Sequence, residues 1–487
     1  MFVCGAAVMV IELAGSRFLA PHFGTSLYVW SSIIGVIMGS LSLGYWLGGR
    51  MSVLNPRREI FSFIIFIAAL AIIGLALAKD SVLSLADWLA AVTDIRLGSF
   101  AAAVALFALP NALLGMVSPY AARLKIDRVD KSGRAVGDLY AISTIGSIAG
   151  TFTAGFWLIG MFPAEQINIC LAVLLAAVSL FVDRKNLGLL KFLMLAGTVI
   201  YIFILVYTAE KDLPLTFDTS YARYEVKDIQ LDSRLAMRAL ANDNLGVQSL
   251  AYIYDGKLSD ELAVPYNYYF LLGGHFKQQI KNGLLIGGGT FVFTKGFLAA
   301  YPGASIDAVE IDPALTGIAK KYFNLRDDPR LMIVNEDGRV FLNQNKKIYD
   351  CVYMDAFNSM AMPFQLATKE AAQKIYASLS DGGVVMVNVV SAAEGDRARV
   401  LRSLLATYES VFPQVYVFAT DPAAAPENVS NYVLAALKST QVPQWSDADP
   451  QLDAYLKTRV DQNVEGGMPV LTDDYAPLEK YALDTIN

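Results

Sequence analysis

The stretch Leu284-Leu-Ile-Gly-Gly-Gly-Thr290 decides the fold of the second half of this chain. An apolar run that ends in a glycine-rich turn is typical of the first strand of a nucleoside-binding α/β domain, because glycine lets the backbone approach a ligand closely. Three acidic segments follow in order: Val309-Glu-Ile-Asp-Pro313, Asn335-Glu-Asp-Gly338 and Tyr353-Met-Asp-Ala356. The order and spacing of these four segments predict a site for an adenosine cofactor.

Each acidic segment has a candidate role and an ordinary alternative. Glu310, which lies 21 positions beyond the last glycine of the triplet, ends the next strand, where a carboxylate can hold both ribose hydroxyls. Asp312, which precedes a proline, suits a helix N-cap instead. Asp337-Gly338 can hold the adenine amino group, although Asp-Gly is also a turn pair. Asp355 is expected beside the reactive carbon of the cofactor, and the glycine triplet itself also occurs in plain turns.

The pattern around these segments predicts a Rossmann-like, doubly wound sheet of seven strands in a methyltransferase-type α/β domain. Strands are expected near 283–287, 305–310, 331–335, 350–355, 383–389, 414–419 and 430–437. Helices are expected near 292–301, 312–322, 368–379 and 396–411. The alternating residues of 222–254 predict a small amino-terminal β-sheet. The ligand should lie beyond the carboxyl ends of the first strands.

The first part of the chain has a different character, which explains a hydrophobic content of 55% and a mean hydropathy of +0.43 for the whole. Seven apolar stretches approach the roughly 20 residues that cross a bilayer. They lie near 2–20, 27–48, 59–79, 99–120, 136–160, 166–182 and 190–208. The segment 81–93 is shorter and amphipathic, which predicts an interfacial helix. The expected domains are 1–208 for the membrane helices, 209–280 for a linker and small β-sheet, and 281–487 for the α/β domain.

Charge divides the chain at the same point. Residues before 209 hold 14 Lys+Arg and 10 Asp+Glu, a net charge of +4, whereas the rest hold 25 and 35, a net charge of −10, in agreement with −6 for the whole. An acidic soluble half does not favour nucleic acid as a partner. It suits a cationic substrate such as a polyamine, although mild acidity also serves solubility. Three separated cysteines and only two histidines argue against a disulfide framework and a metal site.

Basic residues lie in alternate loops of the membrane half. They follow the second, fourth and sixth predicted spans: Arg50, Arg57 and Arg58; Arg123, Lys125, Arg128, Lys131 and Arg134; and Arg184, Lys185 and Lys191. The intervening loops contain Lys79 and Arg96. Because basic loops stay in the cytoplasm, seven spans predict a multi-pass protein of the inner (cell) membrane whose soluble half lies on the non-cytoplasmic side.

Polar and small residues inside the spans have two interpretations. Glu12, Arg17 and Asp138 are costly in hydrocarbon, so they either form ion pairs that fix helix packing or line a polar path for a substrate. Small residues suit close helix packing, which is the role predicted for Gly35, Gly39, Gly44, Gly48, Gly49, Gly146, Gly150 and Gly155.

The segments quoted above resemble the spermidine synthase family, and more closely its bacterial fused members, in which membrane helices precede a spermidine-synthase-like domain. The membrane half carries phrases similar to that group's: Glu12-Leu-Ala-Gly-Ser-Arg17, Ala20-Pro-His-Phe-Gly24 and Tyr140-Ala-Ile-Ser-Thr-Ile-Gly146. The resemblance therefore covers nearly the entire chain. It implies transfer of an aminopropyl group from decarboxylated S-adenosylmethionine to a di- or polyamine, with release of methylthioadenosine.

The resemblance also implies roles for individual residues. The cofactor-binding set is Gly287, Gly288, Gly289, Glu310, Ile311, Asp337, Gly338 and Asp355. The substrate-binding set is Gln248, Tyr266, Tyr269 and Asn358. Asp355 is the catalytic residue, since its carboxylate can accept the proton of the attacking amine or orient its lone pair. Tyrosine rings can attract an ammonium group, although tyrosines of this segment are also typical of a core.

Two positions depart from the family pattern. Thr290 stands where the family has an aspartate after the glycine triplet, and Asn358 stands where it has a second acid four residues into the Asp-Ser-Ser-Asp run. Both changes remove a carboxylate that contacts an ammonium group, and a buried ammonium needs acceptors.

Three hypotheses follow for function. The first is a membrane-anchored aminopropyltransferase. The second is a methyltransferase that uses intact S-adenosylmethionine, because the same fold serves both reactions. The third is a transporter or sensor whose soluble domain binds a polyamine or nucleoside without turnover. The expected partners are a polyamine and the lipid bilayer, and the sequence is compatible with a homo-oligomer.

Overall fold

The computed structural model describes residues 1–24, 26–54, 56–126, 132–183, 197, 215–242, 246–357, 362–460 and 467–486. The chain divides into two units, Met1–Tyr224 and Glu225–Asn487. Long apolar helices build the first unit, and a layered arrangement of helices and sheet builds the second.

Six long helices make up most of the described part of the first unit. They are α1 (Phe2–Phe23), α2 (Leu27–Leu54), α3 (Arg58–Val92), α4 (Ile95–Lys125), α5 (Ser132–Thr153, continued by a π-helical turn at Ala154–Leu158 and a last turn at Ile159–Met161) and α6 (Ala164–Val182). All six are long and apolar enough to cross a bilayer. The seventh predicted span, 190–208, lies outside the described residues.

The helix α3 runs without a break, so the predicted span at 59–79 and the predicted interfacial helix at 81–93 are one element. The reason is local, because the joining residues 77–81 contain neither glycine nor proline to stop a helix. Lys79, the last residue of the predicted span, forms an ion pair with Glu165 of α6, with 3.0 Å between Nζ and Oε2.

Glycines let some of these helices approach closely. A Cβ atom on Gly44 would lie 2.1 Å from the carbonyl oxygen of Ala112 in α4, and one on Gly146 would lie 2.1 Å from that of Phe2 in α1. Gly48 and Gly150 make similar contacts with α4 and α1. For Gly35, Gly39, Gly49 and Gly155 no described atom lies within 4 Å of a built Cβ, so close packing at these four stays a prediction.

A five-stranded sheet precedes the α/β domain, in the order β1 (Leu215–Asp218), β2 (Arg223–Gln230), β3 (Leu235–Asn242), β4 (Val247–Tyr254) and β5 (Lys257–Leu262). The strand pairs β3–β4 and β4–β5 are antiparallel. Between β3 and β4 the register slips by one residue, because Leu240 pairs with Ser249 and Ala241 with Val247. Gln248 is therefore the extra residue of a β-bulge, a device that redirects side chains near sites.

The α/β domain contains a seven-stranded sheet: β6 (Asn282–Ile286), β7 (Ser305–Val309), β8 (Leu331–Val334), β9 (Tyr349–Met354), β10 (Leu379–Ser391), β11 (Gln414–Ala419) and β12 (Ser430–Leu437). The order across the sheet is β11-β12-β10-β9-β6-β7-β8. The five strands from β10 to β8 are parallel, whereas β12 runs antiparallel to β10 and β11. The seven strands confirm the predicted number, and each overlaps its predicted range.

Helices cover both faces of this sheet. They are α7 (Pro265–Phe270), α8 (Gly273–Phe276), α9 (Val292–Ala300), α10 (Pro313–Tyr322), α11 (Gly338–Gln344), α12 (Lys369–Ser378), α13 (Arg399–Glu409), α14 (Pro450–Leu456) and α15 (Leu478–Ile486). Residues of α12, α13 and α15 share one buried cluster with the sheet, and residues of α7, α9 and α14 share the other. The chain reverses its direction of sheet growth at β6, which lies between β7 and β9.

Candidate active site

The ends of the parallel strands bring the predicted cofactor residues to one edge of the sheet. Gly287 N–H donates to the carbonyl of Val309 at 2.9 Å, and Asp355 N–H donates to that of Ile286 at 2.8 Å. These bonds hold the glycine turn, Glu310 and Asp355 beside one another. In open α/β sheets this edge, at the strand where the order reverses, is where ligands bind.

The turn after β6 needs glycine at its first and third positions. Gly287 has φ +94° and Gly289 has φ +51°, in the left-handed region that favours glycine. A Cβ atom on Gly287 would lie 2.3 Å from the carbonyl oxygen of Asp355. Phe291, which caps α9, also has a positive φ of 58°, and such strained backbone concentrates at ligand sites. The turn therefore brings the end of β6 against the end of β9.

Glu310 is 6% exposed, and backbone groups hold its carboxylate. Oε2 accepts from Gly289 N–H at 2.8 Å and Oε1 accepts from Asp312 N–H at 3.0 Å. A carboxylate offers about four lone-pair directions, so each oxygen keeps one for a further donor such as a hydroxyl. Burial raises the pKa of Glu310, in opposition to the backbone donors that lower it.

The other two acids of these segments begin helices. Asp312 caps α10, where its side chain accepts from Ala314 N–H at 3.0 Å, as its position before a proline predicts. Asp337 caps α11, where Oδ1 accepts from the N–H groups of Arg339 and Val340 at 2.8 and 3.0 Å. The predicted contact with adenine therefore depends on Oδ2 of Asp337. Ile311, 39% exposed, places an apolar side chain next to Glu310.

Asp355 lies just after β9, where two side chains donate to its carboxylate. Tyr266 of α7 donates its hydroxyl to Oδ2 at 2.9 Å, and Asn388 of β10 donates Nδ2–H to Oδ1 at 3.0 Å. Burial raises the pKa of Asp355 to about 7, although both donors lower it. Burial also raises the pKa of Tyr266 well above its usual range, so this tyrosine stays protonated and remains a donor. A carboxyl group poised near neutrality suits a general base.

Asn388 is the site residue that the sequence prediction missed. It is 3% exposed, and its Oδ1 accepts from Asn431 Nδ2–H of β12 at 2.8 Å. A signal was present, because Asn388 interrupts the apolar strand Val384-Val-Met-Val-Asn-Val-Val390. A polar side chain in a buried strand needs a partner, and here the partner is Asp355.

The predicted substrate residues lie in different surroundings. Tyr266 contacts Asp355, as described above. Gln248 occupies the bulge next to Ser249, whose Oγ accepts from Thr290 N–H at 3.4 Å, so β4 reaches the glycine turn. Tyr269 lies in the core instead, 4% exposed, with its ring centroid 4.4 Å from that of Tyr455 in α14. Tyr266 and Tyr269 lie three positions apart on the short helix α7, yet the first contacts Asp355 and the second packs against Tyr455. The predicted role of Tyr269 in substrate binding stays a prediction.

The two departures from the family pattern differ in what can be described. Thr290 is fully buried, and its hydroxyl has no hydrogen-bond partner among the described residues. It brings no negative charge to the turn. Asn358 lies outside the described residues, so its predicted role in substrate binding stays a prediction.

Comparison with known proteins relates the second unit to a known domain family. Residues 270–444 match the family model of the spermine/spermidine synthase domain. The chain is 26% identical over 227 residues to a probable polyamine aminopropyl transferase of Bifidobacterium longum, covering 42% of this chain and 50% of that protein. It is 25% identical over 374 residues to polyamine aminopropyltransferase 1 of Streptomyces coelicolor, covering 73% of this chain and 68% of that protein.

Two features of these matches bear on the whole chain. The chain spans only half the length of the Bifidobacterium protein. The Streptomyces alignment covers more of this chain than the second unit alone contains, so it extends into the helical half. A third relative has a different activity in its name: the chain is 32% identical over 187 residues to an eEF1A lysine and N-terminal methyltransferase homolog of Drosophila melanogaster, covering 35% of this chain and 26% of that protein.

Proposed function

We propose that this chain, whose carboxyl-terminal half contains a spermine/spermidine synthase domain, is a membrane-anchored aminopropyltransferase. It transfers an aminopropyl group from decarboxylated S-adenosylmethionine to a di- or polyamine. The observation that carries the proposal is Asp355, which the fold places at the reversal point of the sheet with two donors on its carboxylate and a pKa of about 7. The names of the bacterial relatives point to the same reaction.

The donor site is assigned to the four strand ends. Gly287, Gly288 and Gly289 allow the nucleoside to approach the backbone. Glu310 takes the ribose hydroxyls on its two remaining lone-pair directions. The apolar side chain of Ile311 packs against one face of the adenine ring. Asp337 accepts from the adenine amino group through Oδ2, beside Gly338.

The transfer step assigns the chemistry to Asp355. A polyamine nitrogen must be neutral to attack, so the base must remove a proton that the amine carries near pH 7. As the new N–C bond forms, the C–S bond breaks and its electron pair returns to sulfur, which becomes the neutral thioether of methylthioadenosine. Asp355 takes the proton, while Gln248, Tyr266 and Asn358 hold the acceptor amine in line.

The helical half is proposed to hold the enzyme in the inner (cell) membrane. The six described helices and the seventh predicted span give the chain an odd number of crossings. With basic loops in the cytoplasm, the α/β domain then lies on the non-cytoplasmic side.

Methyl transfer from intact S-adenosylmethionine is the second candidate. Thr290 supports it, since an aspartate at this position would repel the carboxylate that distinguishes the intact donor. The likeness to the Drosophila methyltransferase homolog points the same way. The two reactions differ in the nucleoside that they release.

The test incubates the purified full-length protein with either donor and with putrescine or spermidine, and identifies the products by mass spectrometry. Asp355→Asn removes the proposed base and keeps its size, and Asp381→Asn, an exposed site, is the matched control. We expect methylthioadenosine and an amine enlarged by one aminopropyl unit, at least about a hundredfold slower with Asp355→Asn, within the range that general bases contribute.

Other products would overturn the proposal. S-adenosylhomocysteine with a methylated amine would establish the methyltransferase. Binding of donor or amine without any product, in wild type and Asp381→Asn alike, would favour the sensor or transporter. Undiminished turnover by Asp355→Asn would remove Asp355 from the role of base.

A further inference from the structure

Two asparagines form a chain of hydrogen bonds that ends on Asp355. Asn431 Nδ2–H donates to Asn388 Oδ1 at 2.8 Å, and Asn388 Nδ2–H donates to Asp355 Oδ1 at 3.0 Å. The two asparagines lie on neighbouring antiparallel strands, where Asn388 pairs with Val433 and Asn431 with Val390. Their side chains therefore lie on the same face of the sheet, one diagonal step apart.

The second asparagine fixes the orientation of the first. An amide has one end that accepts and one that donates. Because the amide oxygen of Asn388 accepts a hydrogen bond from Asn431 Nδ2–H, only the Nδ2–H group of Asn388 is left to face Asp355. Reversal would place the two Nδ2 groups together and an amide oxygen against a carboxylate, and both contacts are repulsive.

The far end of this chain is itself fixed. The backbone carbonyl oxygen of Asn431 accepts from the backbone N–H of Thr420 at 3.2 Å and from its hydroxyl at 2.7 Å. Thr420 directly follows β11, so three adjacent strands, β11, β12 and β10, anchor the backbone that carries the two asparagines. Such rigid support is what an exact placement of a reacting group needs.

We propose that Asn388 and Asn431 are positioning residues that orient the Asp355 carboxylate and favour its ionised form in the transfer reaction. This inference rests on the proposed function of Asp355. Asn388 occupies one lone pair of Oδ1 and Tyr266 occupies one of Oδ2, so the remaining lone pairs are directed to where the amine must arrive. Asn388 touches no substrate in this scheme and acts through Asp355.

The balance of forces at Asp355 explains why a donor is needed there. Burial disfavours the ionised form of Asp355, whereas the hydrogen bonds from Asn388 and Tyr266 favour it. Of the described residues, Tyr266 of α7 is the titratable group in hydrogen-bond contact with Asp355, and it is a neutral donor at any working pH. Without Asn388 the carboxyl group would keep its proton to higher pH and would be a base in a smaller fraction of molecules.

The test compares three variants of the full-length protein. Asn388→Ala removes the donor. Asn431→Asp keeps the size of its side chain but replaces the donor with a group that only accepts, so Asn388 turns round and presents its oxygen to Asp355. Asn343→Asp, at an exposed position on α11, makes the same change of charge away from the pair and is the control.

The readout is the titration of Asp355 itself, followed by infrared difference spectroscopy of the protonated carboxyl band. The spectrum of Asp355→Asn identifies that band. We expect the midpoint to rise by about one pH unit with Asn388→Ala, the size of one lost charge-assisted hydrogen bond. Asn431→Asp should raise it further, and Asn343→Asp should leave it in place. The acidic limb of kcat/KM should move by the same amounts.

The positioning role and the aminopropyl transfer can fail separately, because the infrared titration needs no turnover. A midpoint unmoved by both Asn388→Ala and Asn431→Asp, in variants that melt cooperatively, would overturn the positioning role and leave the asparagines as structural partners. Should the wild type make no product while the midpoints move as expected, the positioning role would stand and the aminopropyl transfer would fall. Asn431 is partly exposed, so its variant tests the relay even if the buried Asn388→Ala variant fails to fold.

Discussion

At the scale of single residues, the site is a set of carboxylates in unequal surroundings. Glu310 is buried and Asp355 is half-buried, and backbone N–H groups hold the first whereas side-chain donors hold the second. Burial raises the pKa of each, and for Asp355 the value reaches about 7. Glu310 is therefore fixed as an acceptor, whereas Asp355 can exchange a proton near neutrality.

The raised pKa of Asp355 predicts how stability depends on pH. The fold favours the protonated form, so its stabilising contribution is complete below the unfolded pKa of about 3.9 and is lost as the pH rises to about 7. Asp355→Asn has no such titration. The melting temperature of Asp355→Asn should therefore rise relative to that of the wild type from pH 4 to pH 7. The difference between the two should stay constant at higher pH. Differential scanning fluorimetry of both proteins checks this, and curves that run parallel across the range would contradict it.

Glu310 gives a second prediction at this scale. Glu310→Gln places an amide NH₂ against one of two backbone N–H donors and removes the charge that a ribose hydroxyl would meet. We expect the affinity for methylthioadenosine to fall about 10- to 100-fold, the cost of a hydrogen bond to a charged group. Isothermal calorimetry measures the change. Glu409→Gln, at an exposed site on α13, is the control, and an equal loss there would point to general destabilisation.

At the scale of elements, the turn after β6 joins two strand ends. The left-handed φ of Gly287 and the 2.3 Å approach of its missing Cβ to Asp355 both forbid a side chain. Gly287→Ala should cost about 1–3 kcal/mol of stability and abolish detectable nucleoside binding, since the end of β9 must move. Gly303→Ala, where a Cβ atom meets nothing within 4 Å, is the matched control. Urea unfolding measures the loss of stability, and a titration measures nucleoside binding. A Gly287→Ala protein that binds the nucleoside normally would refute the close approach of the two strand ends.

In the helical half, two glycine-to-alanine substitutions should change the melting temperature in opposite directions. Alanine is favoured over glycine in a helix by about 1 kcal/mol, so Gly35→Ala, on an open face of α2, should raise the melting temperature or leave it unchanged. Gly44→Ala should lower it, because the added carbon would meet the carbonyl oxygen of Ala112. Thermal unfolding in detergent compares the two. A stabilised Gly44→Ala variant would mean that α2 and α4 pack less closely than described.

The strands were predictable from sequence because each is a short apolar run between turns, and burial on both faces leaves that pattern intact. Helix α11 was not, since its seven residues are too few to show a period, and its start became clear only when Asp337 was seen to cap it. The pair Asn388 and Asn431 was missed for a different reason: their 43-residue separation in sequence gives no sign that two strands bring them together. Likewise, the sequence gives no sign that Tyr266 contacts Asp355 whereas Tyr269 packs against Tyr455, because both partners come from distant segments of the chain.

At the scale of the whole molecule, the distribution of charge along the helical unit is uneven. The few basic residues at the end that carries Lys79 and Arg96 have acidic partners, with 3.0 Å from Lys79 to Glu165 and 3.7 Å from Arg96 to Asp94. At the other end, Arg50 stacks on Trp46 at 3.8 Å, a contact that keeps its charge. Lys125, at the same end as Arg50, also has an acidic partner, Asp138, at 3.8 Å. Ion pairs leave the number of Lys and Arg residues in each loop unchanged, and the excess of these residues in alternate loops is the quantity that orients a membrane protein.

This asymmetry leads to a prediction about which side of the membrane holds the α/β domain. Reporter fusions within 55–57, between α2 and α3, should give a fluorescent protein that folds in the cytoplasm and an inactive alkaline phosphatase. Fusions within 93–94, between α3 and α4, should give the reverse. After the carboxyl terminus, seven crossings predict active phosphatase and a dark fluorescent protein. A bright fluorescent protein there, with the two loops as expected, would mean that an even number of spans precedes the α/β domain, and the enzyme would then face the cytoplasm.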